Sequence, residues 1–231
     1  MSDRIGTLPY APDVAVLGMA SGSLAIDFLL VAACYCLGCF TAGYYWVRWR
    51  TGQDIRELGS GSVGARNVGR FLGRWAFVVV LLLDFTKGAL AVWLATKFDV
   101  SLEVTVMSMA AVVVGHTWPA QLRFHGGKGV ATSLGAILAF DPLSALLLVL
   151  VFLVCFPLLR NFTLAGLLAF ALSPFAGFLT AFGVIEVAAL SSLAAIVLLA
   201  HHKNIRQEIA GIFAGPSLKE NPMHTDKGSG L

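Results

Sequence analysis

Two glycine-rich basic stretches hold most of the side chains in this sequence that could do chemistry. The first, Gly59-Ser60-Gly61-Ser62-Val63-Gly64-Ala65-Arg66-Asn67-Val68-Gly69-Arg70, combines backbone freedom, small hydroxyls and two guanidinium groups. Glycines let amides converge on phosphate oxygens, serines add donors, and arginine offers a planar fork for bidentate contact. The second runs from Gly115-His116-Thr117-Trp118-Pro119 to Phe124-His125-Gly126-Gly127-Lys128-Gly129-Val130-Ala131-Thr132 and opens into an apolar stretch. A lysine among glycines just ahead of a helix joins its own charge to exposed amides and to the positive end of the helix dipole. A third and weaker stretch, His201-His202-Lys203-Asn204-Ile205-Arg206, adds donors after the last apolar run. The chemistry expected of the three together is recognition of phosphate.

Two familiar nucleotide motifs do not fit. Gly59-x-Gly61-x-x-Gly64 has the dinucleotide spacing, but that signal needs a preceding strand and a βαβ unit, and its neighbours here are apolar helical runs. Lys128 is not a Walker lysine, because Leu122 stands where the first glycine belongs and Gly129 where a serine or threonine should follow. Each stretch also has a plainer reading: a basic loop touching lipid headgroups for the first and third, an interfacial packing histidine for His116.

The elements that must position these loops follow from composition. Of 231 residues, 58% are hydrophobic and 13% charged, and mean hydropathy is +0.82, which excludes an ordinary soluble domain. The expected fold class is all-α, a single polytopic membrane helix bundle over 1–231, with 1–23 as an N-terminal extension. No cleavable signal is expected beside Arg4, so the first span serves as its own signal. A crossing takes about 20 residues. The predicted spans are Phe28–Val47, Trp75–Trp93, Val104–Trp118, a short one from Gly129, one ending at Leu159 after a break at Asp141-Pro142, Phe162–Phe182 and Val184–Ala200. Cys34, Cys36, Cys39 and Cys155 lie in apolar runs and read as packing residues, and no metal cage is expected. Asp84 and Lys87, three apart in the second span, are expected to neutralise each other or to brace the first loop.

Charge sets the orientation. Arg48 to Arg74 holds six arginines against Asp54 and Glu57, and Arg123 and Lys128 mark the next loop on that side. With seven transmembrane helices, Arg160 and the tail join them on the cytoplasmic side, while Asp99, Glu103, Asp141 and Glu186 fall outside. A six-span chain would strand Arg160 and the tail on the other face.

The three loops, with Asp84-Phe85-Thr86-Lys87-Gly88 and the turn Arg160-Asn161-Phe162-Thr163-Leu164-Ala165, resemble the bacterial membrane glycerol-3-phosphate acyltransferases that take acyl phosphate as donor, the PlsY family. The resemblance covers almost the whole chain after the N-terminal extension. It implies seven helices in the bacterial inner membrane, motif loops and C-terminus cytoplasmic, and transfer of a fatty acyl group to the 1-hydroxyl of glycerol 3-phosphate, yielding lysophosphatidate and phosphate for phospholipid synthesis. It implies no cofactor and no metal. The implied partners are glycerol 3-phosphate, acyl phosphate, membrane lipids and an acyl-phosphate-producing enzyme as a candidate, with no nucleic acid. By motif position Ser60, Arg70 and Lys128 should position glycerol 3-phosphate and stabilise charge without a covalent nucleophile, and His201 and Asn204 should close the site. Gly61, Ser62, Gly64 and Gly129 join the substrate-binding set, and Asn67, His116, Gly126 and Gly127 should shape the pocket for acyl phosphate. A substrate phosphate is thought to serve as base in that family. The sequence departs from the family pattern at Ser62, usually asparagine, at Arg66, commonly threonine, at Gln207, usually arginine, and at Ile212-Phe213, usually threonine-glutamate, where the divergent tail 212–231 begins. A transporter or non-catalytic binding protein for a phosphorylated metabolite is the competing class. Beyond Asp27, Asp84 and Lys87 the spans offer no polar ladder for passage.

Overall fold

The structure is a computed structural model that describes residues 15–179, 183–203 and 205–206. Asn204, residues 1–14 of the extension and the tail 212–231 lie outside the described residues. Within them the regular elements are all helical, and the main ones are α1 (Ala15–Cys39), α2 (Ala42–Thr51), α3 (Ala65–Leu72), α4 (Arg74–Lys97), α5 (Leu102–Thr117), α6 (Val130–Phe140), α7 (Pro142–Leu159), α8 (Phe162–Leu179) and α9 (Val184–Ala200). All but α2 and α3 are strongly apolar along their length.

Local chemistry accounts for most boundaries. Ser101 caps α5 by accepting from the Val104 amide. Asp141 accepts from the Ser144 amide at 2.6 Å with Pro142 in the first turn of α7, so the expected break forms through an N-cap followed by a proline that needs no amide partner. Asn161 accepts from the Thr163 and Leu164 amides to start α8. The eleven residues of α6 rise only about 16 Å, roughly half of a bilayer core, so this element is shorter than a full crossing.

The first expected span, Phe28–Val47, falls within the stretch Leu24–Thr51, which is long and apolar enough to cross a membrane, but it is not one unbroken helix: α1 ends at Cys39, the backbone breaks at Phe40-Thr41, and α2 starts afresh with Arg48 and Arg50 in its last turn. The break is stabilised from elsewhere in the chain, because Lys87 Nζ donates to the carbonyls of Phe40 at 2.9 Å and Gly38 at 3.2 Å.

Helix contacts rely on small residues, as expected where lipid removes the drive for bulky apolar packing between helices. Gly38 of α1 and Gly115 of α5 lie on each other's backbone, and Gly88 of α4 packs on the Thr132 carbonyl while Gly135 of α6 packs on that of Phe85. The main core gathers Met109, Val112 and Val113 of α5, Ile137 of α6, Phe170 of α8 and Leu190, Leu193 and Val197 of α9. Outward faces stay apolar, with Leu158 76% and Val154 63% exposed, a surface suited to lipid tails. A second cluster, Val47, Ile55, Val63, Val68, Val80 and Leu122, lies under the first two loops and seats both at one end of the bundle.

Candidate active site

The first loop is held by two side chains. Asp54 accepts from the Arg56 amide and opens a short 3-10 turn, Ile55–Glu57. Arg56 folds back on Asp54 with Nη2 to Oδ2 at 2.6 Å, covers the Tyr44 ring at 5.1 Å, and donates from Nη1 to the Leu122 carbonyl at 2.9 Å. The guanidinium holds the Asp54 carboxyl below its usual range, and its third contact ties the first loop to the second. Beyond this turn the backbone passes through left-handed conformations at Gly59 and Gly61. The buried Asn67 amide fills the resulting curve: Oδ1 accepts from the Ser60 amide at 3.0 Å, while Nδ2 donates to the carbonyls of Leu58 and Ser62 at 2.9 Å. Asn67 thus has its polar atoms committed to loop shape. Ser62 Oγ accepts from the Gly64 amide within its own turn, whereas the Ser60 residue is exposed. Helix α3 then buries Ala65, Asn67 and Val68 and leaves Arg66 and Arg70, four apart, on its open side.

The second loop folds back on the end of α5. The Gly126 amide donates to the Thr117 carbonyl at 3.1 Å and the Gly127 amide to the His116 carbonyl at 2.9 Å, and the Val63 amide approaches the Gly126 carbonyl at 3.5 Å. The sequence reading of exposed glycine amides is corrected for these two positions: their donors are used to close the loop. A Cβ at Gly126 would meet the His116 carbonyl and Pro119, and one at Gly127 would meet the His116 ring, so glycine is required for close approach. Gly129, at φ 78°, turns the chain into α6 and places Lys128 at that helix's N-terminus.

The loops converge through charge. Burial, then Arg66 and Arg70, lower the Lys128 pKa from the ordinary lysine value. Burial lowers that of His201 too, with Lys128 and Arg66 adding repulsion. Burial and Arg70 do the same to Arg66. Arg66 also reaches the turn between α7 and α8, donating from Nη1 to Thr163 Oγ1 at 3.1 Å with Cζ 4.7 Å from the Phe162 ring centre. Among the described residues no carboxylate pairs with Arg66 or Arg70. Cations from the first and second loops, with the His201 ring at the end of α9 beside them, therefore face one region whose natural complement is an anion.

Of the sequence candidates, Arg70, Lys128 and His201 meet here, with Ser60 on the exposed rim of the first loop. His116 lies behind Gly127 in a buried group with Asp84 and Lys87: Lys87 Nζ is 2.9 Å from Asp84 Oδ1 and 2.8 Å from His116 Nδ1. Sequence reasoning missed Arg56 as the link between loops, and it counted Arg66 among the two guanidinium groups of the first loop without giving it a place in the site. The pairing of Arg56 with an aspartate two residues earlier was the available signal for the first; for Arg66 nothing local marked its reach to Phe162 and Thr163.

A family model for glycerol-3-phosphate acyltransferase matches residues 28–211. Glycerol-3-phosphate acyltransferase 1 of Desulfitobacterium hafniense is 44% identical over 183 residues, 79% of this chain and 90% of that protein. The glycerol-3-phosphate acyltransferase of Methylobacillus flagellatus is 41% identical over 191 residues, 81% of this chain and 95% of its own. Two crystal structures of PlsY, an integral membrane glycerol 3-phosphate acyltransferase, superpose on this fold. Its glycerol 3-phosphate form gives a TM-score of 0.74 at 35% identity, covering 80% of this chain and 92% of that one. The lysophosphatidic acid form gives 0.72 at 33% identity with the same coverage. An apolar helix bundle with cationic loops gathered at one end, matched over most of its length in sequence and in fold, belongs to the integral membrane glycerol-3-phosphate acyltransferase family.

Proposed function

We propose that the acyl donor is an acyl phosphate and that the acceptor is the 1-hydroxyl of glycerol 3-phosphate. The observation that supports this reading is the convergence of Arg66, Arg70 and Lys128 with His201. Both substrates carry phosphate, and bringing two anions together costs free energy that opposing cations offset. The hydroxyl oxygen attacks the acyl carbon, the bond from that carbon to the bridging oxygen breaks, and inorganic phosphate leaves with the displaced electron pair. The hydroxyl proton passes to a phosphate oxygen. Because a mixed anhydride is already activated, no acyl-enzyme is needed, and positioning supplies much of the rate.

In this reading Arg70, Lys128 and Ser60 hold glycerol 3-phosphate, and His201 and Asn204 close over it. Gly61, Ser62, Gly64 and Asn67 fix the curve of the first loop, and His116, Gly126, Gly127 and Gly129 fix the approach to Lys128. Seven apolar helices, with the short α6 completed by the loop that leads into it, pass through the bacterial inner membrane with all these loops cytoplasmic, and the acyl tail stays in lipid.

The test is turnover by the purified protein in lipid, with glycerol 3-phosphate and either acyl phosphate or an acyl thioester, following lysophosphatidate and phosphate. Stoichiometric release of both from acyl phosphate is expected. Turnover with the thioester alone would overturn the donor assignment, and no turnover with either would overturn the reading of the site.

A further inference from the structure

Lys87 stands outside the cationic pocket, yet its surroundings connect it to that pocket. Its side chain is 5% exposed, and that of Asp84 is 3% exposed. Its three N–H bonds are matched by three acceptors, the Gly38 carbonyl at 3.2 Å, the Phe40 carbonyl at 2.9 Å and His116 Nδ1 at 2.8 Å, while Asp84 Oδ1 lies 2.9 Å away as its ion-pair partner without a hydrogen bond. The carbonyls flank the break between α1 and α2. An ammonium has donors only, so His116 Nδ1 must be the acceptor in its contact. Asp84 Oδ1 lies farther from the same Nδ1, at 3.4 Å. The proton of the neutral imidazole is thereby placed on Nε2, on the edge of the ring that lies against Gly127. The His116 carbonyl accepts the Gly127 amide on the same stretch of backbone. Gly127 directly precedes Lys128.

We infer that Lys87 is a positioning residue for the acyl transfer. It fixes the tautomer and tilt of His116, His116 sets Gly127, and Gly127 aims Lys128 at the phosphate. By holding Gly38 and Phe40 at the same time, it couples the broken end of α1 to the second loop. This inference rests on the reading of Lys128 as a phosphate ligand. A bare charge pair between Asp84 and Lys87 would need neither the histidine nor the two carbonyls.

Removing one charge alone would leave its partner buried and uncompensated, so the informative variant is the double Asp84→Asn, Lys87→Met, whose folding is followed by thermal unfolding in detergent. Two readouts apply. Nitrogen-15 spectra of histidine-labelled protein, assigned with His116→Gln, report which ring nitrogen of His116 carries the proton. Steady-state kinetics with acyl phosphate and glycerol 3-phosphate separate kcat from KM. We expect the Nε2–H form to dominate in the parent chain and to give way to a mixture in the double variant, with kcat reduced on the order of 10²-fold, the cost of a small misplacement of a binding group. An unchanged histidine spectrum in the folded double variant would overturn the inference, and so would kcat within about twofold of the parent, since misplacement by even an ångström is costlier. A parent chain that turns over neither substrate pair would count against the proposed function, and the spectrum would then decide the Lys87–His116 link by itself.

Discussion

His116 and His201 meet their surroundings through the same ring nitrogen in opposite senses. In the buried group, Nδ1 of His116 accepts from Lys87. At the end of α9, Nδ1 of His201 lies 2.8 Å from the Val197 carbonyl, so it must donate, leaving Nε2 bare when the ring is neutral. The charges around them differ in the same way. Asp84 balances Lys87 out of reach of water, whereas Arg66 and Arg70 of α3 and Lys128 of the second loop repel one another with no carboxylate pairing either arginine among the described residues. A bundle assembled for stability alone would neutralise both groups. One is neutralised and shapes the backbone; the other is held in tension and calls for a ligand.

The widest separation between the two should appear in stability. Asp84→Ala leaves the Lys87 ammonium buried without its carboxylate, and a loss of about 3–5 kcal/mol is expected, read as a large drop in unfolding temperature in detergent. Lys128→Ala should do the reverse, leaving the melting curve close to that of the parent while activity falls on the order of 10²- to 10³-fold, the scale for losing one preorganised group opposite developing charge. If Lys128→Ala instead unfolds the protein and keeps its turnover per folded molecule, the two groups have been assigned the wrong way round.

How much of this contrast the sequence revealed depends on whether a feature was local. The break at Asp141-Pro142 was legible because cap and proline sit side by side. The break at Phe40-Thr41 was not, because it falls inside an uncharged run and its carbonyls find their donor at Lys87, 47 residues from Phe40. Spacing suggested the Asp84–Lys87 pair, but the third member comes from α5, 29 residues beyond Lys87. Residue type marked Arg66, Arg70 and Lys128 alike as anion donors, and the family resemblance singled out Arg70 and Lys128; that Arg66 is anchored on Phe162 and Thr163 from another turn required the fold. The glycines before Lys128 were recognised for their freedom, while their amides proved to be committed to α5 carbonyls.

Arg66 sharpens the comparison from inside the cationic pocket. Arg66→Thr removes one charge and the contact with Phe162, and if the guanidinium serves the anion, KM for a phosphate substrate should rise by the worth of a charged hydrogen bond, about 1.5–3 kcal/mol or roughly 10- to 100-fold. Stability should change little, because a cation over an exposed ring contributes on the order of 0.5–1 kcal/mol. The same variant relieves repulsion on Lys128, so the lysine pKa should move back up toward its ordinary value, measurable as an alkaline shift in the pH profile of anion binding. Unchanged KM for both substrates would reduce Arg66 to a strut between loop and turn.

The smallest effect concerns His201, where burial outweighs the hydrogen bond to Val197 and the nearby cations add to the downward shift from 6.5. Above the ordinary value both folded and unfolded chains carry the neutral ring, and this residue makes stability independent of pH. As pH falls below 6.5 the unfolded chain takes up the proton first, while the folded chain resists until its own lower pKa is reached. Across that window the unfolded state binds more protons, so the folded state loses stability as the medium is acidified. His201→Gln should remove this component, giving a melting temperature that declines less between about pH 7 and 5 than in the parent chain. Saturating inorganic phosphate should act on the parent in the same direction: a bound anion offsets Lys128 and Arg66, raises the His201 pKa and narrows the window. A parent curve unaffected by phosphate, alongside a His201→Gln curve of the same slope, would place this ring beyond the reach of the pocket.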